Sequence, residues 1–219
     1  ETLEAAADLL IAEGWHEQVA EARAAGRRVG LGLATYVEPA PVSPSLLRAM
    51  GVAAVARSPQ EARLRLERDG AVTLFTSQQP HGQGHATTLA QLAADGLGVP
   101  MESVRVVWGD TDLVPVNRVG TGGSRAATLA SGAVLAASAG LRSRLLDLAA
   151  ERLEIDPGDL DIVDGWVVPR DAPSLGRSLG SLVEEPIEET GQFLSDDGTW
   201  SQATHCCLVE VDAETGGVR

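Results

Sequence analysis

Two glycine-rich segments constrain this chain more than any other feature. Gln79-Pro80-His81-Gly82-Gln83-Gly84 lies between an alternating, strand-like run and a helical run that begins at His85, and Val119-Gly120-Thr121-Gly122-Gly123-Ser124-Arg125 stands in the same relation to a second, longer helical run. Glycine lets backbone approach a ligand closely, and the free N–H groups at a helix start carry a partial positive charge suited to phosphate. The first segment is therefore a candidate anion cradle that uses no lysine. Taken alone it has a plainer reading, a tight strand-to-helix turn made by Gly82 and Gly84 and capped by Thr87. The second segment adds hydroxyls and the guanidinium of Arg125, so the pair could pinch one elongated, multiply charged ligand from two sides. Neither carries the Gly-Lys-Ser/Thr ending of a nucleotide-hydrolase phosphate loop or the spacing of the three-glycine dinucleotide fingerprint.

The runs around these segments alternate between hairpins and helices. Leu3, Leu9, Leu10 and Trp15 recur at helical spacing, and Val29 to Val37 alternates as a strand. The proline-rich stretch 39–44 with Leu46 to Gly51 reads as a connection. Ala62–Glu67 and Ala71–Thr76 flank Asp69-Gly70, and Asp161–Val168 contains Asp164-Gly165; both predict hairpins whose tight turns take positive backbone angles. A helix is predicted from His85 to Leu97, ended by Gly98 and Pro100, then a strand over 103–108 and a long helix from about Ala127 to Leu153. Residues 172–200 read as a surface connection before a last strand over 205–212. Hairpins beside helices predict an α+β fold, a two-layer sandwich of a hairpin-rich mixed sheet with packed helices.

Composition narrows the partners. The chain has 219 residues, enough for one sizeable core or two small ones, and 44% are hydrophobic. Its net charge of -14 argues against nucleic acid and anionic membranes, which need a basic face, so an anionic ligand must be held by local dipoles. The longest apolar stretch, Ala126 to Leu141, is too short and too polar to span a bilayer. Cys206 and Cys207 are the only cysteines. Adjacent strand positions point to opposite faces, so a disulfide between them would be strained, and a reducing, cytoplasmic setting is expected. The chain opens inside a helical run without a charged-then-apolar leader, which suggests a cut rather than a natural start.

The stretch Gly82-Gln83-Gly84-His85-Ala86-Thr87-Thr88-Leu89-Ala90-Gln91, then Gly109-Asp110-Thr111-Asp112, then Gly120-Thr121-Gly122-Gly123-Ser124-Arg125 resembles the molybdopterin-binding large subunit of the xanthine dehydrogenase and aldehyde oxidase family. Gly30 to Tyr36, Val209 to Asp212 and Glu214-Thr215-Gly216 resemble flanking strands of the same region, so the resemblance covers nearly the whole chain. The first loop is closer to the carbon monoxide dehydrogenase-like bacterial branch, which usually carries the cytosine dinucleotide form of the cofactor. The resemblance implies that residues 1–219 are part of a molybdenum-cofactor-binding region, with a cofactor-loop core at about 62–155. It implies that Gln83 and the amides around Gly82 and Gly84, with His85 and Thr87 at the helix start, contact the pterin and its phosphates, and that Thr121, Gly123, Ser124 and Arg125 lie near the nucleotide. Molybdenum is then held by the cofactor's own sulfurs, so no protein metal ligand is expected. The resemblance also implies iron-sulfur clusters and FAD in partner subunits; the two cysteines of this chain could not hold such clusters. The family's upstream loop before the metal pocket and its downstream Gly-Glu loop, which carries the general base, fall outside 1–219. No catalytic residue is therefore assigned here, and the chain alone is expected to be inactive without the rest of its subunit.

Other residues have competing readings. His81 and His85 lie four apart, but Gly82 and Gly84 between them disfavour a helix that would aim both at one metal. His205, Cys206 and Cys207 read as part of a buried strand, Glu210 and Asp212 as solvated acids at a strand end, and Asp110 and Asp112 as turn-forming caps. An alternative function keeps the glycine loops for the fold alone, in a non-catalytic structural or interaction module.

Overall fold

The computed structural model describes residues 1–52, 59–117, 119–195 and 197–219, which fall into two compact units: Glu1–Pro39 with Trp200–Arg219, and Ala40–Thr199. Each is described by itself.

In the first unit, α1 (Thr2–Ala12) and α2 (Trp15–Ala24) replace the single helical run expected from the apolar spacing. Gly14 takes a left-handed conformation and breaks the run between them. Next comes β1 (Arg28–Pro39), which pairs antiparallel along its full length with the last strand, β9 (Trp200–Val211). A small cluster of Val19, Ala22 and Val29 ties α2 to this ribbon. Cys206 is half-buried and Cys207 exposed, contrary to the buried strand expected, because a two-stranded ribbon covered on only part of its surface shelters little.

The strand-end acids of this unit hold structure. Glu210 accepts from both nitrogens of a forked Arg27 contact and from Arg219 Nε at 3.3 Å, and Asp212 accepts from the Glu214 and Thr215 amides at 2.9 Å. The Arg27 hydrogen bond, followed by that of Arg219, lowers the Glu210 carboxyl from 4.5 to about 2. A carboxyl depressed in the folded state stabilises fully above its ordinary value, and that contribution is lost as pH falls from 4.5 toward 2. Glu210→Gln should therefore speed amide exchange along β1 and β9 at neutral pH, and the gap from wild type should close on acidification. A gap independent of pH would show that the carboxylate charge is not what holds the ribbon.

The second unit is the α+β sandwich. After α3 (Pro44–Ala49) come β2 (Gln60–Leu66) and β3 (Val72–Thr76), then α4 (His85–Leu97), β4 (Val104–Val107) and α5 (Ser131–Leu153). The helix α3 lies within the stretch expected to be a simple connection. Ser43 accepts from Leu46 N at 3.2 Å and Pro44 occupies the first turn, two features that together start a helix. The remaining strands are β5 (Leu160–Val163), β6 (Trp166–Pro169), β7 (Arg177–Ser178) and β8 (Ile187–Phe193).

The main sheet runs β4-β3-β2-β8, with β2 antiparallel to both neighbours and β3 parallel to β4. Parallel neighbours need a crossover, and α4 supplies it. The hairpin at Asp164-Gly165 has both residues at positive φ, as expected, whereas at Asp69-Gly70 only Gly70 does. There Glu67 N reaches Ala71 O at 2.8 Å and closes a longer loop.

One face of β2 buries Ala62, Leu64 and Leu66 while Glu61, Arg63 and Arg65 alternate outward. On α4, Leu89, Ala93 and Leu97 make a buried stripe at helical spacing, and on α5 so do Ala133, Ala137, Leu141, Leu145 and Ala149. These faces meet in one core.

Residues 172–200, read above as a surface connection, contain two core leucines, Leu179 and Leu182, and the whole of β8, which completes the sheet beside β2. Asp196 in that stretch lies outside the described residues. The small residues Ala133 and Ala137 let α5 approach β8 so closely that a Cβ on Gly191 would lie 2.2 Å from Ala137 N and 2.3 Å from Ala133 O.

Candidate functional site

The first glycine segment leaves the end of β3 and reverses into α4. Gly82 and Gly84 have φ of 99° and 79°, a region where a side chain is strained, and Gly84 occupies the cap position of α4. No side chain caps this helix. Thr87 is exposed and does not take the capping role offered by the plainer reading; the Thr87 and Thr88 amides donate to Gly84 O at 3.0 Å, and no side chain caps the His85 and Ala86 amides ahead of them. Gln83 is exposed, and its Oε1 accepts from His81 N, which ties the loop to itself. His85, expected at the ligand, is buried at the head of α4, and its Nδ1 has no partner among the described residues.

The second segment has three residues at left-handed angles, Gly120, Gly123 and Ser124. It leads into a π-helical turn, Ala126–Ala130, before α5 proper, so the long helix starts where expected but on a wider turn of a kind often seen at functional sites. Arg125, just ahead of that turn, is 6% exposed. Its Nε has no hydrogen-bond partner, and among the described residues its guanidinium has no carboxylate beside it. Burial lowers its pKa from the usual arginine value. The side chain lines a largely apolar cavity of about 220 Å³, together with Val42, Leu47, Gly123, Leu129 and Leu194.

The two loops meet. Thr121 Oγ1 lies 3.2 Å from His81 Nε2, and residues of both segments line one groove of about 490 Å³. Among the described residues, Gln79, His81, Thr111, Asn117 and Thr121 give it amides, hydroxyls and an imidazole, with no lysine or arginine. Val119 and Gly122 line both this groove and the apolar cavity, so the second loop is the wall between them. Of the residues singled out from the sequence, Thr121 faces the groove, and Gly123 and Arg125 face the cavity. Gly82, Gln83, Gly84 and Ser124 are exposed loop residues lining neither space. Asp110 behaves as the turn-former expected, with Oδ1 accepting from Asp112 N at 2.9 Å.

Sequence reasoning missed the support behind the two loops, a set of three carboxamides. Gln60 Oε1 accepts from Gln78 Nε2 at 2.5 Å and from Asn117 Nδ2 at 3.1 Å, while Gln60 Nε2 donates to Ser77 Oγ at 3.0 Å. Uncharged amides at strand ends match no motif. The available signal was Gln60 itself, a polar residue in register with the inward-facing Ala62, Leu64 and Leu66. Among the described residues no group of three or more His, Cys, Asp or Glu side chains could hold a metal, and no helix is long and apolar enough to cross a membrane.

The sequence pattern of the molybdopterin cofactor-binding domain matches residues 5–219. The chain belongs to that family. It is 33% identical over 213 residues to the nicotine 6-hydroxylase large subunit of Paenarthrobacter nicotinovorans, an alignment covering 91% of this chain and 26% of that protein. It is 28% identical over 201 residues to the carbon monoxide dehydrogenase large chain of Hydrogenophaga pseudoflava, covering 86% of this chain and 24% of the relative. Among solved structures, quinoline 2-oxidoreductase from Pseudomonas putida 86 superimposes with a TM-score of 0.80 at 30% identity, over 100% of this chain and 29% of that one. This molybdopterin cofactor-binding domain thus spans about a quarter of the length of the relatives it matches.

Proposed function

We propose that this domain holds a molybdopterin cofactor carrying molybdenum, as part of the large subunit of a molybdenum hydroxylase. The observation that carries the reading is the meeting of the two glycine loops, His81 against Thr121, around one groove beside an uncapped helix start. The residues fit such a group. The hydroxyls and amides that line the groove suit a hydrogen-bonding heterocycle, while the buried Arg125 behind the second loop offers donors to an anion. Gly82, Gln83, Gly84, His85 and Thr87 would act from the first loop and helix start, and Thr121, Gly123, Ser124 and Arg125 from the second. The likeness to carbon monoxide dehydrogenase large chains supports the cytosine dinucleotide form of the cofactor.

When bound, the cofactor supplies the metal at which an aldehyde, an N-heterocycle or carbon monoxide is oxidised with water as oxygen source. The domain's own residues bind and orient it, and electrons leave through iron-sulfur and flavin subunits in a cytoplasmic complex. Relatives named as large subunits or chains support that assembly. A module that keeps the loops for the fold alone would have no use for a buried arginine whose Nε has no partner among the described residues, since an unsatisfied buried donor costs stability.

Gln83→Ala in the full-length subunit tests the reading. The substitution removes the acceptor that closes the first loop on His81 N and the amide donors beside it. Molybdenum and released cofactor per subunit, measured by mass spectrometry, should fall about tenfold, as expected for one lost hydrogen bond of average strength or better. Wild-type content in a correctly folded variant would remove Gln83 from the site.

A further inference from the structure

We propose that the Gln60, Gln78 and Asn117 carboxamides are positioning residues that clamp the two glycine loops into one register, an inference that rests on the loops' proposed role as cofactor holders. Gln78 leads into the first loop and is fully buried; Asn117 precedes the second and is half-buried. Their side-chain nitrogens converge on the same backbone oxygen, Gly120 O, at 3.2 and 3.3 Å. Both nitrogens also donate to Gln60 Oε1 at the start of β2, a residue 1% exposed. Asn117 Oδ1 completes the arrangement by accepting from Val119 N at 2.9 Å and Gly120 N at 3.1 Å, which shapes the second loop from within.

Each loop is therefore bonded to the same two acceptors, and neither can shift without breaking bonds that also hold the other. The nitrogens of all three amides and the oxygens of Gln60 and Asn117 are hydrogen-bonded, and within the network only Gln78 Oε1 has no partner among the described residues, so the network has few alternative arrangements. Gly120 is followed directly by Thr121, the residue that reaches His81, so the clamp sets the spacing of the groove walls. This role is distinct from ligand contact. Gln60 and Gln78 line neither the groove nor the apolar cavity.

Asn117→Asp separates the clamp from the local turn. The carboxylate can still accept from the Val119 and Gly120 amides but cannot donate to Gln60 Oε1 or Gly120 O. Hydrogen exchange on the full-length subunit should show amides of the first loop and the start of α4, 82–87, exchanging about tenfold faster in the variant, although the substitution lies just before the second loop, while α5 amides keep wild-type rates as the check on folding. Asn117→Ala, which removes both arms without adding charge, should loosen both loops and serves if the aspartate perturbs α5. Wild-type exchange at 82–87 in the variant that retains its α5 rates would overturn the clamp. Molybdenum retention in the same preparations should fall by a similar factor. A loosened first loop with undiminished molybdenum would leave the clamp standing and count instead against the loops as cofactor holders.

Discussion

Arg125→Met should make the cofactor-free chain more stable and leave the full-length subunit nearly empty of cofactor. The guanidinium is buried in a mostly apolar cavity with no counter-charge among the described residues. Burying a charge without a partner is unfavourable, and replacing it by an apolar side chain of similar length removes the desolvation cost while keeping an apolar stem in the cavity that Leu47 and Leu129 also line. A gain of about 1 to 2 kcal/mol in unfolding free energy is expected. Charge-assisted bonds to an anion contribute about 1.5 to 3 kcal/mol, so cofactor affinity should drop by about ten- to hundredfold. Opposite signs for stability and binding are the signature of a residue kept for a ligand. Thermal unfolding of the cofactor-free form and molybdenum content of the purified subunit measure the two arms. A variant less stable than wild type would mean that Arg125 serves the fold, and unchanged cofactor content would place the anion elsewhere.

Gly191→Ala should be among the most damaging single-methyl changes to the fold. The added carbon would meet main-chain atoms of α5 at 2.2 and 2.3 Å, and neither atom can turn aside as a side-chain tip could. Either β8 withdraws from the helix or α5 moves off the sheet, and both movements open the core around Ala133, Ala137 and Leu141. Overpacking of this severity costs about 3 kcal/mol, a loss of about 6 to 12 °C in melting temperature for a unit of this size. The comparison is Gly82→Ala, where no atom lies within 4 Å of the new carbon and only the positive φ resists. That change should cost about 1 kcal/mol, with its larger consequence in the loop. Equal melting temperatures for Gly191→Ala and wild type would show that β8 does not lie against α5 in solution.

Local chemistry decided much of this domain. Glycine at position 98, with its positive φ, ends α4 where the residues alone say it must, and the Asp-Gly pairs turn both hairpins. Two glycine segments at two helix starts, together with a run of matching residues, were enough to reach the family. These features are legible because each depends on residues within a few positions of one another. Tertiary structure decided the rest. The strand β8 has acidic residues at 188 and 189 and only two large apolar side chains, so its pattern is too polar to announce a sheet strand. It forms because β2, more than a hundred positions earlier, offers a free edge, and because Gly191 lets α5 come close. Arg125 could be named from the sequence, but its burial could not, since that follows from the cavity it lines with Val42, Leu47 and Leu194. The same holds for Gln60, Gln78 and Asn117. Separately they are ordinary polar residues, and only the convergence of three distant segments makes them the support behind the two loops. A sequence specifies backbone preference residue by residue, whereas satisfaction of buried polar groups is a property of the assembled interior.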